Sequence, residues 1–377
     1  MKKKAMLYPF SMDTVSIPRY RNLLCEYELV SVVAPAGLAM EGIDCCVIDE
    51  GPFSGMIVSN SFENALESCD AVIAAEYEFL DNRRFFDKVI ERLKTAMTKE
   101  KDIFCTMFLE AQILEDLTCF ANMNHVNFVY AADQVNGTEA ILKQNMYIQT
   151  IETPIVVVTG LCDNCLKFEL QLAIRDSFLR KDIRVSQIGS RHYSELFGFH
   201  SFPGFMFENQ YTEEEKILAF NQYIRDLERN ENPEVIVIGI PGGIMQYSGR
   251  VLNGFGVKAY EVGCAISSDY TILAIPCEGI DNEYVDILSQ ILKYRNNMIL
   301  DCICIANTHY NDESIKNLNL LPQIEIMSDH YVDLMRSNYN GSLPLFKSYD
   351  SLQRTLMVEG IYNQLVQNVG KVEGTII

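Results

Sequence analysis

The sequence predicts an α/β fold in two domains, each a mostly parallel sheet flanked by helices. Three observations carry this. Short strands that are apolar throughout alternate with amphipathic helices, the pattern of parallel strands covered on both faces. The alternation stops and restarts near residue 151, and 377 residues exceed what one hydrophobic core ordinarily organises. The expected domains are 1–150 and 151–377.

In the first domain "KAMLYP" reads as a strand, "SIPRYRNLLCEY" as a helix and "ELVSVVAP" as a second strand. The strand "CDAVIAAE", the helix "NRRFFDKVIERLKTAM", the strand "DIFCTM", the helix "EAQILEDLTCFANM" and the strand "VNFVYA" follow. This series is Rossmann-like. Its first strand-to-helix loop, "YPFSMDTVSIP", has no GxGxxG, so the specific dinucleotide signature is missing. The glycine-bearing loop nearby, "APAGLAMEG", follows the second strand instead. The segment "AADQVNGTEAILKQNMYIQTIETP" is expected to cross between domains and to be partly helical.

The second series opens with the strand "IVVVTG", the helix "LKFELQLAIRDSFLRK" and the strand "IRVSQIGS". An aromatic loop, "RHYSELFGFHSFPGFMF", leads to the helix "TEEEKILAFNQYIRDLERN". Beyond it come the strand "PEVIVIGIPGG", a glycine-rich stretch, the strand "DYTILAIP", the helix "NEYVDILSQILKYR" and the strand "LDCICIAN". The chain closes through "LPQIEIMSD" and the helix "SLQRTLMVEGIYNQLVQNV".

Composition narrows the function classes. A formal net charge of −20 and pI near 4.7 argue against binding a nucleic-acid backbone, which needs clustered cations, and leave a basic peptide acceptable. No apolar run reaches the ~20 residues of a membrane helix, and "MKKKAMLYPFSMD" lacks the apolar core of a signal peptide. Twelve cysteines lie mostly in apolar runs such as "DCCVID", as expected of buried free thiols in a reducing compartment. A cytoplasmic protein without membrane or nucleic-acid partners is expected, and a homo-oligomer is compatible with the sequence.

The loop after the strand "IVVVTG" carries the clearest chemistry. A phosphate-binding loop uses glycines to turn backbone N–H groups toward phosphate at a helix N-terminus, a lysine to neutralise charge, and a Ser or Thr to hold Mg²⁺. The run Gly160-Leu-Cys-Asp-Asn-Cys-Leu166-Lys167-Phe168 keeps the first glycine and the lysine. Leu166 replaces the second glycine and Phe168 the hydroxyl. With five residues between Gly160 and Leu166, the loop resembles the G-x5-G-K-T variant of dethiobiotin synthetase and its relatives, which implies a P-loop NTPase-like second domain.

The second domain also resembles the P-loop half of a two-domain bacterial family of unknown function, related to acyl-amino-acid racemase helpers. The matches are Asp163 and Lys167, then Gly242, Gly243, Tyr247, Ser248 and Gly249 in "IPGGIMQYSGR", and Asn307 and Thr308 in "IANTHYNDES". Where that family has a glutamate this chain has Gly239. A loop lacking its second glycine, hydroxyl and carboxylate is expected to hydrolyse nucleotide hardly at all. The expected ligand pocket, for an anion or a nucleotide-like molecule, comprises Gly160, Asp163, Lys167, Gly242, Gly243, Ser248, Asn307 and Thr308.

Over its length, including "MLYPFSMDTVSIPRYRNLL" and "ELVSVVAPAG", the chain is similar to peptide maturation system proteins found with radical SAM enzymes that modify ribosomally made peptides. That resemblance implies an accessory role in maturing a bacteriocin-like peptide, with the precursor or the radical SAM maturase as partner. Two alternatives stand beside it: an ATP- or GTP-dependent ligase or kinase acting on a peptide, and a thiol or metal carrier through Cys162-x-x-Cys165. A helix N-terminus lowers a thiol pKa, which suits redox or metal use, yet tetrahedral zinc needs two more ligands and no second CxxC or HxxxH exists. Metal is therefore not expected. Cys302 and Cys304, two apart in a strand, are expected to share a face.

In the aromatic loop, His192, Tyr193, Phe197 and His200 lie after a strand end, where they could grip a peptide or simply pack the loop with Phe199, Phe202 and Phe205. The glycines of "GIPGGIMQYSGRVLNGFG" permit close backbone approach to a ligand, with Arg191 and Arg250 as nearby cations.

Overall fold

The computed structural model describes residues 2–35, 40–76, 83–131, 147–317 and 322–373, apart from the side chains of 368–373. The chain forms two compact units: Met1–Val135 with His192–Gly198, and Asn136–Arg191 with Phe199–Ile377. The first unit thus takes in a segment of the aromatic loop. Most of the expected crossing segment, 132–146, and the Gly37 part of "APAGLAMEG", 36–39, lie outside the described residues.

The first unit is built on strands β1 (Lys3–Tyr8), β2 (Tyr27–Val33), β3 (Val58–Ser59), β4 (Ala71–Ala74), β5 (Asp102–Cys105) and β6 (Phe128–Tyr130). Their spatial order is β3-β2-β1-β4-β5-β6 and every pairing is parallel, the doubly wound Rossmann order. Helices α2 (Phe62–Glu67), α3 (Arg83–Thr98) and α4 (Ala111–Met123) flank it. Phe86, Val89, Leu93, Ala96 and Met97 bury one stripe of α3, because apolar residues three and four apart fall on one side of a helix.

The helix expected over residues 16–27 is not there. Only α1 (Ser16–Arg19) and a 3-10 turn at Arg21–Leu23 form, and Tyr27 already pairs with Lys3 as the start of β2. Arg21 donates to the carbonyls of Pro18 and Ser54, which ties the turn to the loop before β3 instead of extending the helix. The short β3 and α2 between the second and third expected strands escape the periodicity reading, since elements of two and six residues hold too little pattern.

The second unit has a seven-stranded sheet. Its strands are β7 (Ile155–Gly160), β8 (Val185–Gly189), β9 (His200–Ser201), β10 (Val235–Gly239), β11 (Tyr270–Ile275), β12 (Cys302–Ile305) and, after the small antiparallel pair β13 (Thr308–Tyr310) and β14 (Ile324–Ile326), β15 (Leu345–Lys347). The order is β15-β12-β11-β7-β10-β8-β9, with every pairing parallel.

Side chains alternate across this sheet. Ile155 and Val157 pack with α6 (Glu213–Glu231), α7 (Val257–Ala265) and α8 (Asn282–Arg295), through residues such as Phe220, Val262 and Leu288. Val156 and Val158 face the other way, onto Leu170, Ile174 and Phe178 of α5 (Lys167–Arg180) and Met357 and Ile361 of the last helix, Ser351–Glu373. Cys302 and Cys304 do share a face, in this second layer. Each such fully buried aliphatic contributes about 1.5–3 kcal/mol of transfer free energy.

The chain leaves β7 toward β8 and leaves β10 toward β11 on the opposite side, so the carboxyl ends of β7 and β10 form the switch point where open α/β sheets place ligands. The phosphate-like loop and the glycine-rich stretch are the two segments that emerge there.

Candidate functional site

Gly160 closes β7 because nothing larger fits: a Cβ there would lie 2.6 Å from Cys165 Sγ and 2.6 Å from Lys167 Cδ. The loop then enters α5 through Leu166, whose φ of 59° and ψ of 26° are left-handed. Leucine therefore occupies the backbone conformation that the absent glycine would adopt, at about 1 kcal/mol or more of strain. The loop path survives without its residue.

Lys167 is buried and already engaged. Its ammonium donates to the carbonyl of Gly242 and lies 3.7 Å from Asp163 Oδ1, while the Gly242 N–H donates to the same carboxylate at 2.9 Å. The Ile244 N–H donates to the Gly160 carbonyl at 2.8 Å, and Asn253 Nδ2 donates to the carbonyls of Leu161 and Met245 at 3.1 and 3.0 Å. Thus the glycine-rich stretch after β10 is stitched onto the phosphate-like loop, and the cation that would meet a phosphate meets a peptide carbonyl.

The stitching requires close approach. A Cβ on Gly243 would stand 2.4 Å from the Leu161 carbonyl oxygen, and one on Gly256 2.1 Å from that of Ile244. Asn253, Gly254, Phe255 and Gly256 form a run of left-handed residues, with φ of 50, 55, 53 and 73°. Such a run is costly for Asn253 and Phe255 and needs its anchors, of which the Asn253 amide is one.

Gly239, in the place of the resembled family's glutamate, has a physical counterpart that sequence reasoning missed. A Cβ there would fall 2.1–2.4 Å from the amide of Gln171, a fully buried side chain of α5. That amide donates to Ser190 Oγ at 2.9 Å and to the Lys167 carbonyl, and accepts from the Ser190 N–H at 3.0 Å. A neutral amide bridge fills the space. Phe168, in the hydroxyl's place, is buried with its ring 5.8 Å from that of Phe199.

The late strand end also converges on the loop. Thr308 Oγ1 donates to the Asn164 carbonyl, Asn164 Nδ2 reaches Tyr310 Oη at 3.4 Å, and the Tyr310 ring packs 5.2 Å from that of Tyr247. Asn307 is fully buried beside them in sequence. Ser248 Oγ accepts from the N–H groups of Arg250 and Val251 and shapes a turn, and Arg250 donates to the carbonyls of Ser314 and Asn317. Of the eight expected pocket residues, Asp163, Lys167 and Gly242 bond to one another, while Gly160, Ser248 and Thr308 bond to other residues of the neighbouring loops.

Cys162 and Cys165 are fully buried. The Cys165 thiol donates to the Cys162 carbonyl at 2.9 Å. The hydrogen bond with Cys165, and then burial, push the Cys162 thiol up. Burial opposes ionisation of Cys165 too, but the bond from Cys162 and the Lys167 charge outweigh it and hold that thiol below its usual value. Among the described residues no three His, Cys, Asp or Glu side chains form a set that could hold a metal ion.

The aromatic loop turns its rings inward. Tyr193 and Phe197 are buried in the first unit, where His192 Nε2 contacts the Thr106 carbonyl and lies 3.2 Å from Glu76 Oε1. Phe199, Phe202 and Phe205 are buried in the second unit, and His200 there pairs with Glu231 at 2.6 Å. The four residues expected to grip a peptide are therefore divided between units.

A second constellation on the same sheet edge was not legible beforehand. Glu278, three residues past β11, accepts from Tyr284 Oη at 2.6 Å and Tyr247 Oη at 3.3 Å. Burial pushes its carboxyl up, against the two tyrosine bonds. The sequence signal available was its position, "IPCEGID", at the carboxyl end of an apolar strand.

No protein-family model matches the chain, and no curated protein matches it either. Among solved structures it is similar to a DUF1611 family protein from Anabaena variabilis, with a TM-score of 0.54 and 10% identity over 81% of this chain and 88% of that one. At that identity the likeness shows the fold alone, an α/β architecture of the Rossmann-like and P-loop-like kind. The signal recognition particle receptor FtsY from Elizabethkingia anophelis (TM-score 0.33, 10% identity, 72% and 85% covered) and an amine dehydrogenase from Mycobacterium smegmatis (TM-score 0.28, 14% identity, 41% and 47% covered) are more distant in shape. Among the described residues no helix is long and apolar enough to cross a membrane.

Proposed function

We propose that the protein is a binding protein rather than a nucleotide hydrolase, acting as an accessory in the maturation of a ribosomally made peptide by holding the precursor or its modifying enzyme. The observation that carries the first half is the engagement of Lys167: its ammonium is held by the Gly242 carbonyl and Asp163. The Gln171 amide, occupying the space where a carboxylate would organise Mg²⁺, supports it further. A nucleotide would have to displace these bonds without the glycine, hydroxyl and carboxylate that normally reward it.

The second half rests on the sequence resemblance and on a cleft beside the old phosphate loop. It has a volume of about 490 Å³ and is lined by Met245, Gln246, Tyr247, Ser248, Gly249, Phe255, Ile291 and Arg295. Its apolar and hydroxyl-bearing walls suit a peptide segment. Titration calorimetry with Mg-ATP and Mg-GTP is expected to give no micromolar binding; such binding, abolished by Lys167→Ala, would overturn the first half. Pull-down of the full chain against the radical SAM enzyme and precursor peptide of its own gene neighbourhood tests the second half, which fails if neither is retained.

A further inference from the structure

We propose that Glu278 and its tyrosines form a recognition site for an organic cation, a primary ammonium or guanidinium group, and that the occupant is a basic side chain of the bound peptide. The peptide part rests on the reading above; the cation site does not. Glu278 is half-buried, so it is both partly desolvated and reachable from solvent. Its two oxygens each accept from one tyrosine hydroxyl, and no described Lys, Arg or His side chain pairs with it. The charge of His309, whose Nδ1 contacts the Cys277 carbonyl, favours the ionised carboxylate, but its ring forms no ion pair with Glu278.

A carboxyl removed from water without a cation holds its proton more tightly, and a cationic ligand beside it restores the charged form. The surroundings fit such a ligand. Tyr247 and Tyr284 present hydroxyls to the carboxylate, and the Tyr247 ring packs against that of Tyr310, giving aromatic faces that attract cations. Tyr247 is at the same time a wall of the adjoining cleft, and Tyr284 shares one face of α8 with the cleft residues Ile291 and Arg295. A chain lying in the cleft could therefore turn a basic side chain toward Glu278. The net charge of −20 draws a basic segment to the protein.

The test titrates the full chain with N-acetyl-lysine methylamide, its uncharged norleucine analogue, and n-butylamine. The lysine amide is expected to bind about tenfold or more tightly than the norleucine amide, and Glu278→Gln to remove that preference. Glutamine keeps the shape and can bond both tyrosines, so a thermal midpoint that holds or rises shows the variant folded with an uncompensated charge removed. Equal binding of the two amides, no binding of the lysine amide up to about 10 mM, or an unchanged preference in Glu278→Gln would each overturn the cation site. Competition by n-butylamine as effective as the lysine amide would keep the site but sink the peptide occupant. Capture of the precursor peptide undiminished in Glu278→Gln would also sink the peptide occupant, while leaving the binding role intact.

Discussion

Two constellations share the carboxyl edge of the seven-stranded sheet, and they treat charge in opposite ways. On the β7 and β10 side, Lys167, Asp163 and the Gly242 peptide satisfy one another. At the end of β11, Glu278 has hydroxyl partners and no counter-ion among the described residues. The first is sealed by its own chain, and the second is held by tyrosine hydroxyls alone. One sheet edge thus carries two constellations with opposite charge economies.

The largest expected effect lies on the sealed side. Gly256→Ala places a Cβ 2.1 Å from the Ile244 carbonyl oxygen at a φ of 73°, so it should cost about 3 kcal/mol or more, read as a lowered urea midpoint. An unchanged midpoint would mean that the glycine-rich stretch is not bound tightly to the loop, and the contrast would collapse. Lys167→Met should cost about 1–3 kcal/mol, because it orphans the Gly242 carbonyl and leaves Asp163 without its cation. Asp163 is largely exposed, so water will recover part of that loss.

A fully buried carboxylate sharpens the comparison, because it has a lysine and still titrates abnormally. Glu261 is fully buried with Lys258 Nζ 2.9 Å from its Oε2, yet burial, aided by a shared hydrogen bond with Glu213, pushes its carboxyl up to about 7. A raised carboxyl pKa means that the folded chain holds the proton more tightly than the unfolded chain. Stability from this group is full below the ordinary value of 4.5 and is lost as pH rises from there to about 7. The slope can reach about 1.4 kcal/mol per pH unit. Glu213, shifted down chiefly by its bond to Glu261, acts in the opposite sense and only below 4.5. Glu261→Gln should flatten the stability profile between pH 4.5 and 7; a profile equally steep in that variant would assign the slope to other groups.

The smallest effect is expected at Leu166→Gly. Relief of the left-handed strain, about 1 kcal/mol, is offset by the packing that leucine makes with both core layers. A net change within about 1 kcal/mol is expected. A large gain would show that the strain is what the loop retained.

Much of the fold was legible because buried parallel strands announce themselves. Runs such as "IVVVTG" and "VIVIG" admit few other readings, and the expected strands and the long helices match β and α elements to within a few residues. Short pieces such as β3 and α2 carry too little pattern, and "SIPRYRNLLCEY" read as helical because its apolar spacing says nothing of Arg21 capturing the Ser54 carbonyl. At the site, Gly160 and Lys167 were visible through their spacing, Gly242 and Gly243 through the density of glycines, and Asp163 through the resemblance to a P-loop family. Gln171 was not, since one more polar residue in a helix gives no sign that its amide will press on Gly239 across the sheet. Glu278 was missed for the same reason: its two tyrosines come from segments 31 positions before it and 6 after it, and only the fold brings them together.

The Gln171–Gly239 contact also bears on which substitutions the chain can accept. Any residue larger than glycine at position 239 must displace the Gln171 amide, since a Cβ there meets it at 2.1–2.4 Å. Changing Gln171 first opens a hole and strands the Ser190 N–H and hydroxyl that the amide serves. The contact works as an interlock: neither residue can change alone without disturbing what surrounds the other.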